Sequence, residues 1–209
     1  MDFLSGIVQT VLTYCYNLTV SMGFANYGVA IIVMTVFIKM LLYPLTVKQI
    51  RSMKAMSELQ PKMKALQETY KDDTVKLQSE ISNLYKVSGV NPLSGCLPLV
   101  VQMPILIAIF YAIRDYQYAG STTFLWLASL ADPDPTYVLP VISAATTFVQ
   151  SLQTMPDTSS AQNKMMLYFM PVFIGYISLQ FSAGLVLYWI VTNLVQILQQ
   201  WWMARATKA

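Results

Sequence analysis

The stretch that decides the fold is YGVAIIVMTVFIKMLLYPLTV, residues 27–47. A helix needs about 20 mainly apolar residues to cross the hydrocarbon core of a bilayer, and this run is long enough. Lys39 is the one charged residue in this run, and it lies about 18 Å along the helix axis from Tyr27. The sequence therefore predicts a transmembrane helix with a cation inside the hydrocarbon.

Four further apolar segments follow the first and are predicted to span the membrane at 90–114, 137–154, 164–181 and 182–202. The composition agrees, because 56% of the 209 residues are hydrophobic and 11% are charged, whereas soluble domains carry about 25% charged residues. A water-soluble enzyme and a disordered chain are excluded. The predicted class is an all-α polytopic membrane protein with five transmembrane helices, the first of them at 25–47.

The connecting segments have distinct characters. Residues 1–24 place apolar side chains at spacings of three and four, which is typical of an amphipathic helix in the external membrane interface. Residues 48–89 combine helical periodicity with eight Lys or Arg and predict a cytoplasmic helical hairpin that turns at Lys71–Asp73. Pro61 is expected at the first turn of a new helical stretch or at a kink. The remaining connections are an external loop at 115–136, a cytoplasmic loop at 155–163 and a short cytoplasmic tail at 203–209.

The distribution of basic residues predicts the orientation. Nearly all of the 13 Lys and Arg lie in the hairpin, the 155–163 connection region and the tail, and only Arg114 borders the opposite side. Cytoplasmic segments carry the excess of Lys and Arg. We therefore expect the hairpin and the C-terminus in the cytoplasm and the N-terminus outside.

Lys39 is the most informative residue because no Asp or Glu lies inside any predicted span. A Lys at the centre of a membrane helix costs about 2.5–3.5 kcal/mol on insertion scales. Three ways to reduce that cost remain open: extension of the side chain to the interface, deprotonation, or a water-filled recess. Polar stripes on several spans favour the recess. They comprise Thr35, Lys39 and Tyr43; Ser143, Thr147 and Gln150; Tyr188, Thr192, Gln196 and Gln199; and Gln102 on the second span.

Several classes of chemistry are disfavoured. The chain has no histidine, which excludes imidazole catalysis and His-ligated metal sites. No titratable relay of a proton-coupled carrier lies in the spans, and no inverted repeat is apparent. No nucleophile–base pair, phosphate-binding loop or metal cluster is recognisable, so we expect neither an enzyme nor a cofactor.

Four long segments carry a resemblance to a known family. They are FIKMLLYPLTVKQ (37–49), ELQPKMKALQE (58–68), NPLSGCLPLVVQMPI (91–105) and SAGLVLYWIVTNLVQILQQ (182–200). The sequence resembles the YidC/Oxa family of membrane-protein insertases, specifically its bacterial YidC branch. The resemblance covers residues 25–202 and implies five core helices around a hydrophilic groove that opens to the cytoplasm and is closed outside.

The resemblance also implies roles for residues and partners. Lys39 stands where most members carry Arg. The expected groove and substrate-binding residues are Lys39, Thr35, Gln102, Met103, Tyr188, Trp189, Thr192 and Gln150, the last two from the polar stripes. The implied function is an insertase and chaperone that guides one- or two-span proteins into the bacterial plasma membrane, without a cofactor. Its expected partners are nascent membrane proteins and the bilayer, with the ribosome, the signal-recognition receptor and the general secretion channel as further candidates, and no direct nucleic-acid contact. The alternatives are an assembly chaperone beside a larger translocation channel and, more remotely, a small-solute transporter.

Overall fold

The computed structural model describes residues 2–91, 97–118, 120–154 and 161–206, and this part of the chain is all-α. Cys96, most of the predicted 155–163 loop and the last residues of the predicted tail lie outside these ranges. The helices are α1 (Asp2–Ser21), α2 (Tyr27–Leu41), α3 (Tyr43–Thr69), α4 (Thr74–Ser88), α5 (Leu97–Arg114), α6 (Val138–Thr154), α7 (Ala161–Lys164), a π-helical turn (Met165–Phe169), α8 (Met170–Ser178) and α9 (Ala183–Ala206).

The predicted first span is divided by a bend. Helix α2 begins after Asn26, whose side chain accepts a hydrogen bond from the Val29 amide, and it ends before Leu42. Helix α3 follows at once at an angle of 66°. Pro44 in its first turn cannot donate an amide hydrogen bond and would clash with the carbonyl of Met40 in a straight helix. Among the described residues, no helix taken singly is both long and apolar enough to cross a membrane, and α2 with α3 meets that test only as a bent pair.

Helices α3 and α4 form a helical hairpin. The turn between them falls at residues 70–73, where the Asp73 carboxylate accepts a 2.9 Å hydrogen bond from the Lys76 amide and starts α4. Gly89 ends α4 in the left-handed conformation, with φ of 64°. Helix α3 continues through Pro61, so no new helix begins there, and the alternative of a kink at Pro61 stays a prediction.

Helix α9 is the centre of the bundle. It packs against α2, α5 and α6, while α8 packs on the far side of α6. Helix α1 lies across α2 and α5, with Leu12 fully buried between them. The hydrophobic core around α9 includes Ile31, Met34, Ile109, Ile113 and Leu187.

The loop after α5 closes one end of this bundle. Its carbonyls at Leu130 and Asp132 accept hydrogen bonds of 2.9 and 2.8 Å from the first amides of α9, at Gly184 and Ala183. These bonds satisfy donors that a helix N-terminus leaves free. The Phe124 ring of the same loop fills the space that a side chain at Gly28 would need. The loop is therefore fixed to both α2 and α9.

The predicted fourth span is not one regular helix. It runs from the last residue of α7 through the π-helical turn and α8, and Pro171 is the second residue of α8. Pro171 would clash with the Leu167 carbonyl in a regular α-helix, and the wider π turn gives it room. Farther along, Gly175 lets α8 approach α6 closely, and the hydroxyls of Ser143 and Ser178 lie 2.9 Å apart.

Candidate functional site

Lys39 is a residue of α2, and its side chain contacts α9. Its side chain is 7% exposed, and its Nζ donates a 3.1 Å hydrogen bond to Oε1 of Gln196 on α9. No carboxylate in the described parts of the chain forms an ion pair with it. The ammonium thus ends on a neutral amide of the neighbouring helix, and its charge is not cancelled by the protein residues described.

Thr35 lies one turn before Lys39 on the same face of α2. It is fully buried, and its hydroxyl donates a 2.6 Å hydrogen bond back to the Ile31 carbonyl. That internal bond satisfies the hydroxyl without a partner on another helix. Thr35 and Lys39 of the predicted stripe are therefore buried in the bundle, whereas Tyr43 lies on α3 beyond the bend and is partly buried.

A second polar contact joins α5 to α9. The side-chain amide of Gln102 donates a 3.1 Å hydrogen bond to the hydroxyl of Tyr188, which is 2% exposed. Thr192 is buried one turn farther along α9. Of the predicted residues, Gln102 of the second span and Tyr188 of the fifth are thus brought into contact.

A third polar contact joins α6 to α9. Thr147 Oγ1 accepts hydrogen bonds from Trp189 Nε1 at 3.2 Å and from Asn193 Nδ2 at 3.0 Å. The Asn193 amide also lies 3.3 Å from the hydroxyl of Thr146. Sequence reasoning missed Thr146, although the adjacent pair of threonines was the available signal. We call Thr146, Thr147, Trp189 and Asn193 the α6–α9 clasp.

Two predicted residues stand apart from these contacts. Met103 is 44% exposed on α5. Gln150 is partly exposed one turn after the clasp. Its main-chain carbonyl accepts a 2.6 Å hydrogen bond from the hydroxyl of Thr154. Whether either residue touches a substrate stays a prediction.

Beyond Lys39, the same end of α9 carries buried amides. Oε1 of Gln199 and Nε2 of Gln200 are buried without a hydrogen-bond partner among the described residues. Gln49 on α3 is also buried, at 8% exposure. Buried polar groups that lack a protein partner are ordinarily hydrated. This end of the bundle is therefore suited to hold water beside a cation.

Comparisons with known proteins agree on one family. The family model described as 60Kd inner membrane protein matches residues 18–209. "Membrane protein insertase YidC" of Fusobacterium nucleatum is 38% identical, with 98% of each chain covered. "Membrane protein insertase YidC 2" of Bacillus anthracis is 46% identical over 93% of this chain and 76% of its own length. "Membrane protein insertase YidC" of Francisella tularensis subsp. novicida is 39% identical, and the match covers 100% of this chain and 37% of the length of that protein.

A solved structure is also similar. It is titled "Active YidC insertase crystal structure with the first transmembrane domain resolved". It superposes with a TM-score of 0.73 at 28% identity, over 94% of this chain and 45% of that one.

Proposed function

This chain belongs to the 60Kd inner membrane protein family, and from that premise we propose that it is a membrane protein insertase. It guides small one- or two-span proteins from the cytoplasm into the lipid bilayer. The observation that carries the proposal is the buried Lys39 ammonium, which rests on the neutral amide of Gln196. A cation that no described carboxylate neutralises is available to a passing anionic group.

The proposed arrangement has five transmembrane segments in a bacterial inner membrane. They are α2 with the start of α3, then α5, α6, the π turn with α8, and α9. The N-terminus is outside and the C-terminus is in the cytoplasm. Helix α1 lies in the external interface, and the α3–α4 hairpin extends into the cytoplasm.

The mechanism follows from the cost of moving polar groups through hydrocarbon. A translocated tail or loop carries unsatisfied backbone and charged groups, and each costs several kcal/mol in lipid. A water-filled recess halfway through the bilayer shortens the distance over which the translocated tail must pass through hydrocarbon. Lys39 attracts an acidic tail into the recess, and the contact is electrostatic and reversible.

Release follows from partition of the client's apolar segment into lipid. That segment moves along the lipid-facing edge of α6 and α9, and the exposed Met103 offers a flexible thioether contact on neighbouring α5. Hydrophobic burial in the bilayer supplies the driving force, at about 0.8 kcal/mol for each methylene. The scheme requires neither ATP nor a metal.

The test uses the purified protein in liposomes with a single-span client whose translocated tail is acidic. Lys39→Ala and Lys39→Glu should impair insertion, and Lys39→Arg should retain it because the charge is kept. Lys164→Ala removes an exposed cation and is the matched control. Full insertion by Lys39→Glu would refute recruitment by charge.

A second candidate function is an assembly chaperone for helices that are already inserted. Exposed aromatic side chains on the π turn and α8 favour it, since they form an apolar surface: Tyr168, Phe169, Phe173 and Tyr176. A protein that inserts no client alone but promotes client folding beside a translocation channel would match this second candidate. Solute flux through the same liposomes would instead indicate a transporter.

A further inference from the structure

Gln196 is the residue that receives the Lys39 ammonium. Its Oε1 lies 3.1 Å from Nζ, and this is the hydrogen bond that joins α2 to α9 at the level of the cation. Lys39 is 7% exposed, so a client group reaches the ammonium by displacing Gln196. The chemistry of residue 196 therefore controls how strongly the protein itself holds the cation.

A neutral amide and a carboxylate would have opposite consequences at this position. An amide oxygen stabilises an ammonium by a charge–dipole hydrogen bond and leaves the net charge of +1 in place. A carboxylate at the same distance would form an ion pair with the ammonium and would cancel that charge. An entering client carboxylate displaces an amide far more readily than it displaces an internal ion pair.

The neighbouring contacts on α9 show that Gln196 is the exchangeable one. Asn193 and Trp189 both donate hydrogen bonds to Thr147 on α6. Tyr188 accepts a hydrogen bond from Gln102 on α5. Loss of the Lys39–Gln196 bond would leave those contacts in place. A client carboxylate can therefore replace Gln196 at the ammonium while the α6–α9 clasp stays in place.

We propose that Gln196 is a specificity-determining residue that reserves the Lys39 ammonium for clients with a carboxylate in the translocated segment. In the resting protein its amide oxygen occupies the position that a client carboxylate takes during insertion. This inference rests on the proposed insertase function and deepens it. The client class is a one- or two-span protein with Asp or Glu in the segment that crosses.

The experiment compares two clients in proteoliposomes. One has an acidic translocated tail, and the other has Asn and Gln at the same positions. Gln196→Glu should lower insertion of the acidic client by roughly tenfold, which corresponds to about 1.4 kcal/mol, and should change the neutral client by less than about twofold. Gln180→Glu adds the same charge at an exposed position beyond α8 and should change neither client.

A variant in which Lys39 and Gln196 are exchanged separates loss of the proposed contact from loss of the fold. Lys39→Gln alone should lose the preference for the acidic client, and Lys39→Gln with Gln196→Lys should restore it, because one cation and one amide again share the seam. Thermal unfolding of each variant checks that the fold is retained. Restoration is not expected if residue 196 merely packs.

The outcomes are distinguishable. Wild-type selectivity in Gln196→Glu, or a folded exchange variant as unselective between the two clients as Lys39→Gln, would overturn the role of Gln196 while the insertase proposal stands. Failure of the wild-type protein to insert either client would overturn the proposed function, and this inference with it.

Discussion

Replacing Lys39 by Met should leave the protein at least as stable while it abolishes insertion of acidic clients. Met has a similar length and no charge, so the site between α2 and α9 stays filled. The substitution removes the cost of a buried cation, about 2.5–3.5 kcal/mol. It also removes a hydrogen bond from a charged donor to Gln196, which contributes about 1.5–3 kcal/mol. The difference is a gain in the free energy of unfolding of about 1 kcal/mol.

The assay is reversible unfolding in bicelles, run beside the liposome insertion assay on the same preparations. Lys164→Met removes an exposed cation and should shift the free energy of unfolding by less than about 0.5 kcal/mol. A loss of more than 1 kcal/mol in Lys39→Met would refute the reasoning. It would mean that the contacts of Lys39 stabilise the fold by more than the buried cation costs.

Three further predictions concern the scaffold that holds the site. Thr147→Val should lower the free energy of unfolding by about 1–3 kcal/mol, because the buried Asn193 amide and the partly buried Trp189 indole lose the acceptor that they share, and an unchanged value in bicelle unfolding would contradict the clasp. Gly28→Ala should cost about 1–3 kcal/mol because its methyl group meets the Phe124 ring, and Phe124→Ala should recover much of that loss in the same assay. Burial raises the pKa of Asp134, but hydrogen bonds from the Thr136 hydroxyl and from the Leu139 and Thr136 amides outweigh it and hold that pKa below its usual range. Because the folded pKa is depressed, this stabilisation is present above the unfolded pKa of about 3.9 and is lost as the pH falls through the folded value. Protection of the loop amides against hydrogen exchange, relative to the intrinsic exchange rate at each pH, should therefore fall at acid pH in the wild-type protein, and a fall of the same size in Asp134→Asn would contradict the assignment.

The sequence predicts the all-α class and the family because its signals are local. Apolar runs, the basic hairpin and the four family segments can each be identified without knowledge of packing. The Lys71–Asp73 break likewise predicts the turn between α3 and α4, since Asp73 starts the second helix with its own side chain. Membership of the insertase family is confirmed by the comparisons.

Features that depend on packing between distant segments were not predictable. The spacing of Gln196 places it on a polar stripe, but its bond to Lys39 depends on how α2 and α9 meet. Thr146 lies beside a predicted stripe and enters the site only because Asn193 reaches it. The π turn before Pro171 reflects a local clash whose remedy the sequence does not specify.

The sequence also did not predict which proline interrupts a helix. Pro44 coincides with a 66° bend between α2 and α3, whereas α3 continues through Pro61. Both residues lack an amide hydrogen, so the difference lies in their surroundings. Leu42 falls between two helices at the first site, and a long helix continues on both sides of the second.

Reactivity of a cysteine at position 39 tests most directly whether the cation site is wet from the cytoplasmic side. The background is Cys15→Ala with Cys96→Ala, and the probe is a membrane-impermeant thiosulfonate that reacts with the thiolate in water. Lys39→Cys should react from the cytoplasmic side within about tenfold of a cysteine in the hairpin, whereas Val172→Cys, 70% exposed on the apolar face of α8, should stay unreactive. Labelling of position 39 as slow as that of position 172 would contradict the account.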